Sequence, residues 1–227
     1  GCTATPVQDG APCSDGQACS YGDACSKGTC KPGKSTLFNN ATFGTPKRET
    51  SRRLIWLPNG EIVTFGNQSP ANNSTPENAV AARFDADGKK LSSWVDSFSG
   101  LDTAEAATVT AAGGFAVAGA IDRGVGWSND GRLSLLGQDL TESWSRAYGY
   151  TQEESFVDVK ALTDGGYVMA GGTKQYVAWD VWLAWTDASG NAQNTALFDV
   201  AGEDYLQAME IAANGDWLLG GESGTTA

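Results

Sequence analysis

The chain of 227 residues contains no histidine, which excludes several kinds of active site. Ser-His-Asp and Cys-His nucleophile systems, iron sites with two histidines and one carboxylate, and zinc sites with a histidine ligand all need an imidazole. Basic residues are also few: 15 Lys and Arg stand against 27 Asp and Glu, a formal net charge of −12. Because binding along a phosphate backbone requires clustered Lys and Arg, we expect no nucleic-acid partner. Long apolar runs are lacking too, so we expect no transmembrane segment.

Cysteine is absent from the last 197 residues, since all five cysteines lie within the first thirty. The stretch 9–33 is rich in glycine and has almost no aliphatic residues, so cross-links must hold it together. We expect two disulfides, formed in an oxidising compartment, with three pairings open. The four cysteines concerned are Cys13, Cys19, Cys25 and Cys30. A zinc site of four thiolates is the alternative, but the spacing includes no Cys-x-x-Cys.

The motif DGAPCSDGQACSYGDACSKGTC resembles short Cys-rich modules of secreted and surface proteins in myxobacteria and their relatives. Cys2, which follows Gly1 and precedes small residues, resembles the end of a bacterial lipobox, in which the cysteine carries the lipid. An extra disulfide to a cysteine upstream is the other interpretation of Cys2. These resemblances imply a protein that is secreted or held at the outer cell surface, with a lipid anchor if Cys2 is modified.

The remainder of the chain is a repeat with a period near fifty residues. The segment GGFAVAG at 113–119 recurs as GGYVMAG at 165–171, with weaker copies at 59–66 and 214–221. Aligned glycines occur at 66, 119, 171 and 221, which are 53, 52 and 50 residues apart. An acidic residue repeats in the same register, eleven residues before each turn glycine. These four acids are Glu49, Asp102, Glu154 and Asp204.

Each repeat unit has the sequence features of antiparallel strands. Pairs such as Asn59-Gly60 and Gly113-Gly114 predict two-residue hairpin turns between β-prone runs. A second hairpin is predicted at 84–88 and at 186–190, two periods apart, whereas 101–150 lacks this motif. The runs 62–65 and 115–118 are apolar on successive residues, which is typical of strands covered on both faces. Four short strands per fifty residues indicate an all-β protein made of propeller-like blades, with very little helix.

The sequence DGGYVMAGGT followed by DVWLAWTDASGN resembles the repeat of bacterial and archaeal surface β-propellers. The cysteine distribution and the repeat together predict a Cys-rich module at 1–33, a linker or edge strand at 34–45, and blades at 46–100, 101–150, 151–200 and, in part, 201–227. Three and a half units do not close a propeller. Either a missing C-terminal part completes it, or the strand-like segment 35–43 or another copy of the chain does. An unclosed edge exposes unpaired strands.

Candidate functional residues are few. The repeated acids Glu49, Asp102, Glu154 and Asp204 could form a ring that holds a cation such as Ca²⁺, or each could accept backbone N–H bonds at a strand start. Asp85-Ala86-Asp87-Gly88 begins like a calcium loop but lacks its further ligands, which favours a hairpin turn. Exposed Trp179 and Trp185 would provide stacking platforms for a glycan, but strand alternation sends Trp182 to the opposite face, which favours core packing.

The sequence therefore favours a non-catalytic binding or scaffold protein of the cell surface, active in adhesion or surface assembly. Its expected partner is an extracellular protein or a glycan, and no cofactor is expected. The alternative is a propeller-type polysaccharide hydrolase or lyase that uses carboxylates, although no two of the 27 acids stand out by spacing.

Overall fold

The computed structural model describes residues 20–21, 24–27, 29–31, 34–35, 47–69, 77–96, 100–122, 128–150, 152–174, 178–200 and 202–224. The chain divides into two compact units, Gly1–Thr42 and Phe43–Ala227. The described residues form strands and turns and contain no helix, so the prediction of an all-β protein is confirmed. Consistent with this, the described part of the chain offers no helix of the length and apolarity needed to cross a membrane.

Four short strands are described in the first unit: β1 (Ser20–Tyr21), β2 (Ala24–Ser26), β3 (Thr29–Lys31) and β4 (Lys34–Ser35). β2 pairs with β3 so that Cys25 lies directly across from Cys30, and β1 pairs with β4. Cys30 is disulfide-bonded. Cys25 is a buried free thiol, so the prediction that it joins a disulfide is wrong; its neighbour across the hairpin already has a bond. Cys2, Cys13 and Cys19 lie outside the described residues, and the two-disulfide module is not shown.

The described part of the second unit forms four antiparallel sheets in which strands adjacent in sequence are paired. The first sheet consists of β5 (Arg48–Trp56), β6 (Ile62–Ser69), β7 (Asn78–Phe84) and β8 (Lys90–Val95). The second consists of β9 (Ala106–Val109), β10 (Phe115–Asp122), β11 (Asn129–Leu136) and β12 (Glu142–Tyr148). The third consists of β13 (Glu154–Ala161), β14 (Tyr167–Thr173), β15 (Asp180–Thr186) and β16 (Ala192–Phe198). The fourth has two described strands, β17 (Glu203–Ile211) and β18 (Trp217–Gly224).

The turn that joins the first two strands of each sheet differs from the expected one. Its glycine has a positive φ in all four sheets, as predicted: Gly60, Gly113, Gly165 and Gly215. The loop, however, has three residues rather than two. In the first sheet the N–H of Leu57 donates to the carbonyl of Glu61 (2.8 Å), and the N–H of Gly60 donates to the carbonyl of Leu57 (2.9 Å). A type I turn followed by a left-handed residue has this pattern.

The second hairpin is present in the second sheet although its sequence motif is missing. The N–H of Leu140 donates to the carbonyl of Gly137 (3.0 Å), and Leu140 takes the left-handed φ of 68° that glycine has at the equivalent turns. This conformation is unfavourable for a bulky residue. The Leu140 side chain is 2% exposed and packs in the core between the first two sheets, which offsets the cost. In the first sheet, Asp85 Oδ1 accepts the N–H groups of Asp87 and Lys89, as in a hairpin turn.

The repeated glycines at 66, 119, 171 and 221 have a common structural reason. At each one, an added Cβ would lie within 2.1 Å of a carbonyl oxygen on the first strand of the sheet or, in the second sheet, just before that strand. The carbonyls belong to Thr50, Thr103, Ser155 and Tyr205, which repeat in the same register as the glycines. In three of the sheets the register of β5, β13 and β17 shifts beside this point, which indicates a β-bulge. A bulge on the first strand therefore requires glycine on the second.

The sheets pack against one another in chain order. One apolar core joins the first and second sheets, another the second and third, and a third core the third and fourth. In β10, Phe115 and Val117 face the first sheet, whereas Ala116 and Ala118 face the third. The expectation of strands covered on both faces is thus confirmed. The described sheets form no closed barrel or propeller, and both end sheets expose apolar side chains, with Leu54 and Leu218 each 58% exposed.

Candidate functional site

The four repeated acids occupy equivalent positions at the start of each sheet, and three of them are almost fully buried: Asp102, Glu154 and Asp204. They do not converge on a common centre. Among the described residues, the one acidic group with metal-ligand spacing contains Asp204 but none of the other three. Each acid instead lies beside the segment that enters its own sheet. The ring of four carboxylates inferred from the repeat is therefore not formed by these described side chains.

Two of these acids accept backbone hydrogen bonds from the segment that links one sheet to the next. Glu154 accepts the N–H of Tyr150 (3.2 Å) and the hydroxyl of Thr173 (2.9 Å). Asp204 Oδ2 accepts the N–H of Val200 (2.8 Å), again four residues earlier. These are the backbone bonds that the sequence suggested as the alternative to cation binding. Glu49 differs, because its Oε1 accepts the side-chain amide of Gln68 (2.8 Å).

Asp102 lies at the junction between the first and second sheets, beside a buried arginine. Arg132 is 3% exposed; its Nη1 is 3.5 Å from Asp102 Oδ1 and its Nη2 is 3.4 Å from Glu142 Oε2. Asp96 forms a further ion pair with Nη2. The guanidinium also lies 5.7 Å from the ring centroid of Trp94. The single Arg132 guanidinium thus forms ion pairs with three carboxylates.

The Asp102 carboxyl is the most strongly perturbed acid of this cluster. Burial raises the pKa of Asp102 to about 7, the negative charge of Asp96 adds to the effect, and Arg132 opposes it. Burial also raises the pKa of Glu142. Because desolvation exceeds the attraction to the single guanidinium, the cluster favours a protonated carboxyl near neutral pH.

Replacing Asp102 by asparagine will weaken the pH dependence of stability. Between the ordinary pKa of 3.8 and the folded-state pKa of about 7, the folded protein holds a proton that the unfolded chain releases. The free energy of unfolding therefore falls as the pH rises through this window, by up to about 1.4 kcal/mol per pH unit from this one group. Urea unfolding of D102N and the wild type between pH 4 and pH 8.5 measures the difference. Equal slopes for the two proteins would contradict the assignment.

A second acidic cluster, the Asp180 cluster, lies at the junction between the third and fourth sheets. It consists of Asp180, Asp199 and Asp204, whose ligand oxygens all lie within 4.8 Å of one another. Asp180 and Asp204 are 3% and 2% exposed, whereas Asp199 is exposed. Burial raises the pKa of Asp180, and the charges of Asp199 and Asp204 act in the same direction. Sequence analysis identified only Asp204 of this group.

The tryptophans proposed for glycan stacking take part in packing contacts. Trp185 packs edge-on against Trp217 of the fourth sheet, with ring centroids 5.9 Å apart. Trp179 lies 6.4 Å from the ring of Tyr205. Trp182 stacks on Phe156 at 4.9 Å in the core shared with the second sheet, so it does face the opposite way from Trp185. Trp179 and Trp185 are half-buried, and the described contacts of their rings are with other aromatic rings of the protein.

A groove of about 520 Å³ lies on the first sheet. Its lining includes hydroxyl, amide, ammonium and apolar groups, among them Ser51, Thr64, Gln68, Lys90, Ser93 and Val95. The amide of Gln68 connects Lys47 Nζ (3.1 Å) to Glu49 Oε1 (2.8 Å), and the Ser51 and Thr64 hydroxyls are 2.6 Å apart. Glu49 is the one carboxylate among the described lining residues.

Comparisons with known proteins add little to this geometry. No protein-family model matches the chain, and no curated protein matches it. Among solved structures, the chain is similar to a protein of unknown function from Bacteroides caccae, with 12% sequence identity and a TM-score of 0.49. The similarity covers 84% of this chain and 56% of that protein, so the chain spans little more than half of its length.

Proposed function

We propose that the chain is a non-catalytic binding or scaffold protein of the extracellular space or outer cell surface. In this proposal a small disulfide-rich module precedes β-propeller blades in the sequence. The resemblance of the repeats to those of surface propellers supports this architecture. So does the stacking of four-stranded sheets in chain order through three separate cores. In a propeller, neighbouring blades cover one another in the same way.

The groove on the first sheet is the observation that carries the proposal. Its hydroxyl, amide and ammonium groups offer hydrogen bonds to a polar ligand, and Val95 adds an apolar surface. Concave sites that combine apolar walls with a few polar groups are typical of binding sites. Its partner is an extracellular protein or a glycan, with adhesion or surface assembly as the role.

The polysaccharide hydrolase or lyase hypothesis has weaker support. Glycoside hydrolysis requires two carboxylates that flank the scissile bond. The groove has only Glu49 among its described lining residues. The Asp180 cluster has three carboxylates, but two of them are 3% exposed or less and lie out of reach of a sugar chain.

The disulfide at Cys30 supports the proposed location, since disulfides persist in oxidising compartments. Lipid attachment at Cys2 would anchor the chain to the outer surface. The net charge of −12 supports the proposal that nucleic acid is not a partner. Intact mass and peptide mapping of the natively expressed protein distinguish a lipidated Cys2 from a disulfide-bonded one.

A glycan array combined with a polysaccharide-turnover assay tests the proposed function. We expect the full chain to bind saturably without turnover. Ser93→Arg places a bulky cation in the groove from an exposed position on β8, and we expect it to weaken binding at least about tenfold, a loss of about 1.4 kcal/mol. The matched control is Thr195→Arg on β16, two repeat periods away and likewise exposed, which we expect to bind like the wild type.

Three outcomes would contradict the proposal. Turnover that a single Asp or Glu substitution abolishes would identify an enzyme. Equal loss of binding in both arginine variants would show that the groove is not the binding site. A chain that binds neither an arrayed glycan nor an extracellular protein presented on the same surface would not be a binding module.

A further inference from the structure

The charge of Asp180 has no counterpart among the described residues. No described ion pair involves Asp180, and the charges that act on it are all negative. The Asp180 side chain is 3% exposed and receives no hydrogen bond from the described part of the chain. A buried carboxylate is normally paired, hydrogen-bonded or bound to a metal. The Asp180 carboxylate instead has an oxygen within 4.8 Å of oxygens of two further carboxylates.

The other two junctions between sheets show how this chain satisfies acids at the same place. Between the first and second sheets, Arg132 supplies a cation to Asp96 and Asp102. Between the second and third sheets, Glu154 is satisfied by the N–H of Tyr150 and the hydroxyl of Thr173. In the repeat, Gly149 occupies the position of Asp199 there, so the third junction has one more acid. The charges that act on Asp180 at this junction include no arginine or lysine.

We propose that Asp180, Asp199 and Asp204 form a binding site for a divalent cation, Ca²⁺, at the junction of the third and fourth sheets. The three donors are carboxylate oxygens, the ligands that hard cations prefer. Their mutual distances of at most 4.8 Å suit ligands arranged around an ion at 2.3 to 2.6 Å. Asp204 uses Oδ2 for the N–H of Val200, and Oδ1 is buried beside it.

Calcium fits this site better than magnesium does. The ligands come from β15, from the segment after β16 and from β17, so they belong to two sheets. Ca²⁺ accepts such irregular sets and completes its six to eight ligands with water or carbonyl groups, whereas Mg²⁺ requires nearly ideal octahedral geometry. A bound ion would fasten the fourth sheet to the third. The site is distinct from the groove and does not depend on the proposed binding function.

Calcium titration of the full chain, after EDTA treatment, tests the site by calorimetry and thermal unfolding. We expect one saturable Ca²⁺ site with a Kd of about 10⁻⁴ to 10⁻³ M, in the range of extracellular calcium modules. At 10 mM CaCl₂ the Tm will rise by about 5 °C. MgCl₂ at equal ionic strength will give a smaller rise.

Two variants link the effect to these residues. Asp199→Asn changes an exposed ligand and will weaken Ca²⁺ binding at least about tenfold. Asp180→Asn will abolish the Ca²⁺ response and, because it removes a repelling buried charge, will raise the Tm in metal-free buffer. The control is Asp87→Asn, which removes the same charge from an exposed turn of the first sheet and will leave the Ca²⁺ response unchanged.

The opposite results would overturn the site. A wild-type chain with neither a calorimetric signal nor a Tm shift in CaCl₂ has no such site. A Ca²⁺ response that persists in Asp199→Asn and Asp180→Asn arises elsewhere. A lower Tm of Asp180→Asn in metal-free buffer would show that the carboxylate is already satisfied by the chain itself.

Discussion

Replacing Gly171 by alanine will destabilise the protein by about 3 kcal/mol or more. The added Cβ would lie 1.9 Å from the carbonyl oxygen of Ser155 and 2.7 Å from the Cα of Phe156, both of them backbone atoms of β13. Backbone atoms cannot rotate away, so the bulge on β13 must flatten or the two strands must separate. Overpacking of a core commonly costs about 1–3 kcal/mol, and here the contact is far inside van der Waals distance. Urea unfolding of G171A against the wild type measures the loss.

The neighbouring repeat offers a matched control. Gly220 lies on the equivalent strand β18, one residue before the bulge position, and an added Cβ there meets nothing within 4 Å. Alanine occupies the equivalent position in the second and third sheets, at Ala118 and Ala170. We expect G220A to stabilise the protein by about 0.5–1 kcal/mol, because glycine is unfavourable within a strand. If G171A and G220A unfolded at the same urea concentration, the bulge would not explain the repeated glycines.

Replacing Arg132 by methionine will cost about 3–5 kcal/mol at pH 8, since it leaves several carboxylates buried without their cation. Nε also donates to the hydroxyls of Ser134 and Ser145, at 2.9 Å each, and these bonds are lost as well. The loss will be smaller at pH 5, where Asp102, with its pKa of about 7, is protonated in the folded protein. Urea unfolding at the two pH values measures both effects.

A double variant tests the reason for this loss. Neutralising Asp102 in the R132M background removes one stranded charge, so R132M/D102N will be more stable than R132M at pH 8. The two variants will differ less at pH 5. A loss in R132M that is equal at both pH values, with no recovery in the double variant, would indicate that Arg132 acts by packing against Trp94 rather than by charge.

The repeat made much of the fold predictable from the sequence. The turn glycines, the four strands per unit and the strands covered on both faces follow from a period near fifty residues and from apolar runs. The left-handed turn at Leu140 could not be predicted, because burial in the core offsets a backbone preference that favours glycine. The sequence pattern also predicted two-residue loops between the first two strands of each sheet, whereas these loops have three residues.

The candidate sites were less predictable, because they depend on which side chains meet between sheets. At Arg132 a charge stands where the neighbouring sheets have the apolar Val80 and Trp182, and this break in the apolar pattern was an available signal. Asp180 and Asp204 are 24 residues apart, as are Asp130 and Glu154. That recurring spacing could have identified the acid pairs, but only the fold shows that Asp199 joins one of them.

Nuclear Overhauser contacts between aromatic rings test the stacking of repeated sheets most directly. Each junction brings together rings from sheets adjacent in sequence: Phe65 with Phe115 (5.4 Å), Tyr148 with Phe156 (6.1 Å) and Trp185 with Trp217 (5.9 Å). We expect all three contacts in the full chain in solution. Their absence, together with contacts between rings of the first and third sheets such as Phe65 and Trp182, would show sheets paired in another order and would contradict the account.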